Sequence, residues 1–387
     1  MTILPKIDAF ADELTAIRQD LHAHPELGFE ETRTARIVAD ALRVYGVDEV
    51  HEGIGGTGVV GLIRGTGGGN RRVGLRADMD ALPIEEASGV PYASRTPGRM
   101  HACGHDGHTT MLLGAARYLA ETRDFDGTVV LIFQPAEEGL GGARRMIEEG
   151  LFERFPCDEI YGMHNDPNAA PGVVSVTPGP AMAGASFFDI TVRGTGSHAA
   201  MPHQSRDPIV IGSALVQQLQ SIASRNTPPA KPIVLSVTTF NAGTAYNVVP
   251  GTATLTGTIR YFHDEVIALA ETRIRELCAG MALAYGVEID VELRRVFSVL
   301  MNDPELTQAY VDAAESVVGK QARVSTEQAT GSEDFADMLH VVPGAYGRVG
   351  HAGNVPLHNP GFVLDDAILP VGASVYARIV ETRLPKA

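Results

Sequence analysis

The chain has 387 residues, 44% of them hydrophobic and 20% charged, a length that suggests two domains and a composition far from that of a disordered chain. Its 31 lysines and arginines against 47 aspartates and glutamates leave a net charge of −16, which argues against nucleic acid and anionic membranes as partners. No stretch reaches the ~18 uninterrupted apolar residues of a membrane span, Asp8, Asp12 and Glu13 stand where a signal peptide would be apolar, and three cysteines make no disulfide framework, so a cytoplasmic location is expected.

Ile7, Phe10, Leu14, Ile17 and Leu21 recur at three- and four-residue spacing, which predicts an amphipathic opening helix. Short β-branched runs follow at Val59 to Ile63, Val73 to Ala77, Val129 to Phe133 and Ile160 to Met163, with helical patterns at Thr109 to Glu121 and Gly142 to Glu149. Strands alternating with helices predict an α/β domain whose mostly parallel sheet is flanked by helices. Beyond the turn-rich segment Thr177 to Ala185 the rhythm changes. Strand Phe187 to Val192, helix Pro208 to Ser224, strands Ile233 to Phe240 and Ala253 to Tyr261, helix Val266 to Tyr285 and strand Val287 to Leu293 spell the β-α-β-β-α-β order of a ferredoxin-like α+β unit. The expected organisation is a larger domain in two parts, 1–182 and 296–387, interrupted by a smaller one at 183–295.

Potential ligand groups cluster just past predicted strands and at a helix entrance, where open α/β sheets build their sites. The segment from Met100 reads MHACGHDGH, and Cys103 and His105, one residue apart, can both reach one zinc-like ion. Strand Val129 to Phe133 runs into Glu137 and Glu138; adjacent carboxylates do not point the same way, so one can bind metal while its neighbour faces substrate. Strand Ile160 to Met163 delivers His164, and His358 lies in the Pro- and Gly-bounded loop PLHNPGF, with His351 as a competitor for that role. Read singly, Cys103 is equally well a silent cysteine, the Glu pair a solvated helix start and His164 a structural histidine. Together Cys103, His105, Glu138, His164 and His358 supply the donors that two co-catalytic cations need, and Glu137 remains as a base for a metal-activated water.

The runs RQDLHAHPELGFEE from Arg18, GLRADMDALP from Gly74, MHACGHDGH from Met100, FQPAEEG from Phe133, GSHAAMPH from Gly196, NVVPG from Asn247 and GSEDF from Gly331 resemble the dinuclear metallopeptidase group of aminoacylases, hippurate hydrolases and auxin-conjugate amidohydrolases. The resemblance spans nearly the whole chain and implies a catalytic domain interrupted by a lid and dimerisation domain. It also implies two divalent cations per subunit (zinc or manganese first, cobalt or nickel also serving) on Cys103, His105, Glu138, His164 and His358, with Glu137 as catalytic base. By the same resemblance His198 of the lid polarises the scissile carbonyl, from its own chain or across a homodimer or higher homo-oligomer. Asn247 and Arg260 then grip the carboxylate of a small N-acyl amino acid. Many relatives outside the group carry a metal-binding histidine where this chain has Arg76, two residues before Asp78, which is expected to stand behind the ligands rather than among them.

The expected activity is hydrolysis of the amide bond of an N-acyl amino acid, hippurate-like or other. The alternatives are a dipeptidase, aminopeptidase or N-acetyl-diaminopimelate deacetylase of the same clan, and a cysteine amidase with Cys103 as nucleophile and His105 as its base. The last is disfavoured because a C-x-H pair on one short turn has no orienting third group. A non-enzymatic metal store is disfavoured because it has no use for Glu137.

Overall fold

The computed structural model describes residues 1–386. Its contacts divide them into two units: Met1–Ala181 with Leu300–Glu327 and the chain from Asp334 onward, and Met182–Val299 with Gln328–Glu333.

The first unit is built on an eight-stranded sheet whose spatial order is Glu49–Ile54, Gly58–Arg64, Thr128–Gln134, Arg72–Asp78, Glu159–Asp166, Gly344–Gly350, Val174–Val176 and Ala322–Val324. The central strands Thr128–Gln134, Arg72–Asp78, Glu159–Asp166 and Gly344–Gly350 are mutually parallel, and antiparallel neighbours appear toward the edges. Continuous apolar runs mark these strands because helices cover both faces: Val129, Val130, Leu131, Ile132 and Phe133 are all fully buried. The covering helices include Thr32–Val44, His105–Thr122, Pro304–Val318 and Leu369–Arg383. At Gly114 a Cβ would lie 2.9 Å from that of Ala373, so the glycine sets how closely His105–Thr122 approaches Leu369–Arg383.

The opening stripe does not form one helix. It breaks into Pro5–Asp8 and Ala11–Ala23, and Arg18, a polar spacer in the sequence pattern, is fully buried with a two-pronged ion pair to Asp366 at 2.6 and 2.8 Å.

The second unit carries a four-stranded antiparallel sheet in the order Ile233–Ala242, Thr252–Tyr261, Gly184–Arg193, Glu288–Phe297. Helix Pro208–Ser221, started by Asp207 accepting from the Ile209 N–H, and helix Asp264–Tyr285 complete the β-α-β-β-α-β order. Alternation decides which face is covered: Ala253, Leu255, Ile259 and Tyr261 point inward with Phe188, Leu215 and Ile274. Among the described residues no helix is long and apolar enough to cross a membrane.

Candidate active site

Strand Arg72–Asp78, the loop before helix His105–Thr122, the turn after strand Thr128–Gln134 and strand Glu159–Asp166 converge at the C-terminal end of the parallel core. The entrance to the helix is made by Gly104, whose φ of 99° is left-handed. A Cβ there would sit 2.2 Å from the Asn165 amide nitrogen, so only glycine lets the chain turn between Cys103 and His105.

Two histidines are oriented by what their Nδ1 atoms bond. His105 Nδ1 donates to Asp80 Oδ1 at 3.1 Å and His164 Nδ1 to the Asn165 carbonyl at 2.6 Å, leaving both Nε2 atoms for the centre. His164 Nε2 lies 3.4 Å from Cys103 Sγ. The ligand atoms of Cys103, His105 and His164 fall within 4.8 Å of one another, and so do those of Cys103, Glu138 and His358, and those of His105, Glu137 and Glu138. Cys103 belongs to two of these sets, so the donors form two overlapping groups around one thiol. His358, held at φ 61° by its N–H bond to the Ala102 carbonyl, brings Nε2 to 3.2 Å from Glu138 Oε1. His351 is not in the group; it donates from Nε2 to Asn165 Oδ1 at 2.9 Å.

The donor set fits cations. His105 Nε2 and Glu138 Oε1 are buried polar atoms with no well-formed hydrogen bond, a costly state in the absence of a partner. Burial disfavours charge on His105, yet the Asp78 carboxylate and the hydrogen bond to Asp80 push its pKa well above the ordinary imidazole range. Burial holds His164 well below its usual range, which is the neutral form a metal requires. Burial and the nearby Glu138 push the Cys103 thiol well up, so it is no free thiolate nucleophile by itself, and an adjacent cation is what would reverse that.

Asp78 packs directly against these groups, its carboxylate within 4.8 Å of ring nitrogens of His105 and His108. Its Oδ1 accepts from His108 Nδ1 at 2.6 Å, its Oδ2 from Arg76 at 2.8 Å, and Oδ2 lies 3.8 Å from His105 Nε2. Burial opposes its ionisation, but His105, His108 and Arg76 hold the carboxyl well below the usual carboxylate range. Arg76 is fully buried between Asp78, Gln134 and Asp334 and is part of this framework.

Sequence reasoning passed over three supporting residues. Asp80 orients His105 and also accepts the Glu138 N–H at 3.0 Å, so one carboxylate serves two candidate ligands. His108 accepts the Asn165 N–H at 3.0 Å, and Asn165 in turn bonds the Cys103 carbonyl at 2.6 Å. The signals were the second aspartate of GLRADMDALP and the second histidine of HDGH, which falls one helical turn from His105.

In the second unit, His198 lies in the two-residue strand Ser197–His198 paired with Val248–Val249, and the Ala199 N–H donates to the Asn247 carbonyl at 3.0 Å, so His198 and Asn247 share one end of the unit. His198 is exposed, and its Nδ1 accepts the Ala200 N–H at 3.1 Å. Arg260, on strand Thr252–Tyr261, has its guanidinium 5.9 Å from the Phe187 ring centre, with Nη1 buried and without a partner; burial alone lowers its pKa. No carboxylate of the described residues pairs with it, so it is not a salt-bridged strand residue.

Residues 74–382 match the model of the peptidase family M20/M25/M40. The chain is 41% identical over 380 residues to a hippurate hydrolase of Campylobacter jejuni, covering 98% of each chain. It is 38% identical over 384 residues to IAA-amino acid hydrolase ILR1-like 4 of Arabidopsis thaliana, covering 97% of this chain and 86% of that protein. Among solved structures it is similar to the YXEP protein of Bacillus subtilis, a dinuclear metal binding peptidase of the M20 family, at 33% identity and a TM-score of 0.84 over 98% of this chain and 100% of that one.

Proposed function

The chain belongs to the peptidase family M20/M25/M40, and from that membership and the overlapping donor groups around Cys103 we infer that it is a metal-dependent amidohydrolase that cleaves N-acyl amino acids to a carboxylic acid and a free amino acid. The observation that carries the reading is a pair of buried ligand atoms without a well-formed hydrogen bond, His105 Nε2 and Glu138 Oε1, beside the Cys103 thiol. Cys103, His105, Glu138, His164 and His358 would hold two divalent cations; the family resemblance puts zinc or manganese first and cobalt or nickel next, and the thiolate and imidazoles suit zinc. When bound, such cations polarise the amide carbonyl and make water acidic enough to attack it near neutral pH.

The chain's own residues do the rest. Glu137 accepts the proton of the attacking water and returns it to the leaving amine nitrogen, while Asp78 and Asp80 hold the ligand cluster in orientation. His198 donates to the carbonyl oxygen as it gains charge. Asn247 and Arg260 grip the substrate carboxylate, a role that the half-buried Arg260 supports because its buried Nη1 lacks a partner until an anion arrives. We read the protein as a cytoplasmic homodimer. The three free cysteines support the compartment, and the outer strand Ile233–Ala242, with exposed Val234 and Phe240, supports the pairing.

A panel of N-acyl amino acids, assayed before and after chelation, tests the reading. Activity is expected to vanish on metal removal, to return with added zinc, manganese, cobalt or nickel, and in the loaded enzyme to resist thiol alkylation. Turnover that survives complete metal removal but is abolished by alkylating Cys103 would install the cysteine amidase instead.

Arg260→Leu is expected to lower kcat/KM by ~10- to 100-fold, the scale of a lost charge-assisted hydrogen bond, mainly through KM. Substrates with a carboxamide in place of the carboxylate should lose a similar factor in the parent enzyme and little more in the variant. Equal losses in both enzymes would mean that Arg260 does not touch that group.

A further inference from the structure

Glu31 ends the sequence run HPELGFEE and immediately precedes helix Thr32–Val44. Its side chain does not cap that helix; it is fully buried and reaches two donors on other segments. The Ala136 N–H donates to Oε1 at 2.8 Å and the Thr57 hydroxyl to Oε2 at 2.6 Å. Burial pushes the Glu31 carboxyl up to about 7 against the opposing pull of the Thr57 hydroxyl, its own backbone N–H and the Ala136 N–H, which offset part of the cost of placing it there.

Ala136 is itself unusual. It sits at φ 55°, left-handed for a residue with a Cβ, a strained conformation that persists only where its surroundings impose it. It falls between Pro135 and the carboxylate pair Glu137 and Glu138. On an extended chain those two side chains would point to opposite sides, yet oxygens of both lie within 4.8 Å of the His105 ligand nitrogen and of each other. The backbone reversal at Ala136 is what departs from the extended path at that point. The same loop approaches it closely, with room only for glycine: a Cβ at Gly28 would stand 3.0 Å from the Ala136 Cα and Cβ.

We propose that Glu31 is a positioning residue for hydrolysis, its carboxylate holding the Ala136 amide so that the strained turn delivers Glu137 and Glu138 together to the donor cluster. The consequence for turnover rests on the role given above to Glu137; the consequence for the turn does not.

The test uses Glu31→Ala, Glu31→Gln and Thr57→Val in the full chain, with kcat, KM, metal content, melting temperature and, in the metal-free protein, hydrogen exchange of the segment 134–140. Glu31→Ala is expected to lower kcat by ~10- to 100-fold per metal-loaded molecule, the scale of a small misplacement of a reacting group, with KM changed by less than about twofold. Exchange at the Ala136 amide should quicken about tenfold or more, because its acceptor is gone. Glu31→Gln should recover most of kcat: the amide oxygen accepts from Ala136 and the amide nitrogen can donate to the Thr57 hydroxyl. A merely structural role would lower the melting temperature and leave kcat per loaded molecule unchanged, and that outcome overturns the proposal. So does a glutamine variant no better than alanine, or an Ala136 amide that exchanges at the parent rate. If Glu31→Ala does not fold, Thr57→Val decides: a smaller loss of kcat with faster exchange at 134–140 supports the proposal, and parent values of both overturn it. A fully active Glu137→Gln would remove the base assignment while leaving the exchange measurement to judge Glu31 on its own.

Discussion

Glu137→Gln is expected to lose ~10²- to 10⁴-fold in kcat, the usual range for removing a general base, while keeping its fold and both cations. The substitution is isosteric, and the amide oxygen can still accept the Asp334 N–H that reaches Glu137 Oε1 at 3.4 Å, so the turn has no reason to move. What changes is proton affinity: a carboxylate takes the proton of the attacking water and an amide does not. Glu138, one residue on, is no substitute on this reading, because its Oε1, 3.2 Å from His358 Nε2, is assigned to a cation. Metal analysis beside steady-state kinetics decides the matter. Near-parental turnover in a fully loaded variant would end the assignment of Glu137 as base, and loss of metal would make it a ligand instead.

His198→Ala is expected to cost ~10²- to 10³-fold in kcat, the scale of a missing oxyanion donor, with metal content unchanged. The tautomer supports that role. His198 Nδ1 accepts the Ala200 N–H, so in the neutral ring the proton sits on Nε2, and the exposed ring presents a donor rather than an acceptor. A donor is what a carbonyl oxygen gaining negative charge requires. Mixing inactive Glu137→Gln subunits with inactive His198→Ala subunits then asks whose histidine serves which site. If the histidine acts across a dimer, one site of the mixed dimer holds both intact groups and activity returns. No return, once subunit exchange has been demonstrated by mass or fluorescence, assigns His198 to its own chain; an active His198→Ala variant removes it from the mechanism.

Much of the architecture was legible from local pattern. The β-branched runs at Val59 to Ile63, Val73 to Ala77 and Val129 to Phe133 lie within strands only a residue longer at each end, because strands buried on both faces must be apolar throughout. The alternation from Ala253 to Tyr261 marked a strand covered on one face only. Strand Gly344–Gly350 was not legible: its sequence GAYGRVG reads as a loop. It lies inside the sheet because its glycines admit neighbours, a Cβ at Gly347 meeting the Tyr310 ring at 2.6 Å. The burial of Arg18 was hidden for a related reason, since its partner Asp366 lies 348 residues away and no local spacing records that.

By itself the sequence determined the donor inventory: a thiol and imidazoles on one short run, a carboxylate pair after a strand, histidines on a strand and a late loop. Chemistry of that kind is local, carried by residue type and by the element it sits on. Only the tertiary structure decided which atoms meet. It set Asp80 rather than Asp78 against His105 Nδ1, put His358 rather than His351 beside Glu138, and left Arg260 without a carboxylate partner. The physical reason is the range of the contacts. A ligand's tautomer and direction are fixed by hydrogen bonds between segments tens to hundreds of residues apart, such as His105 to Asp80, Asn165 to Cys103 and Asp334 to Gln134, and those distances exist only once the sheet has assembled.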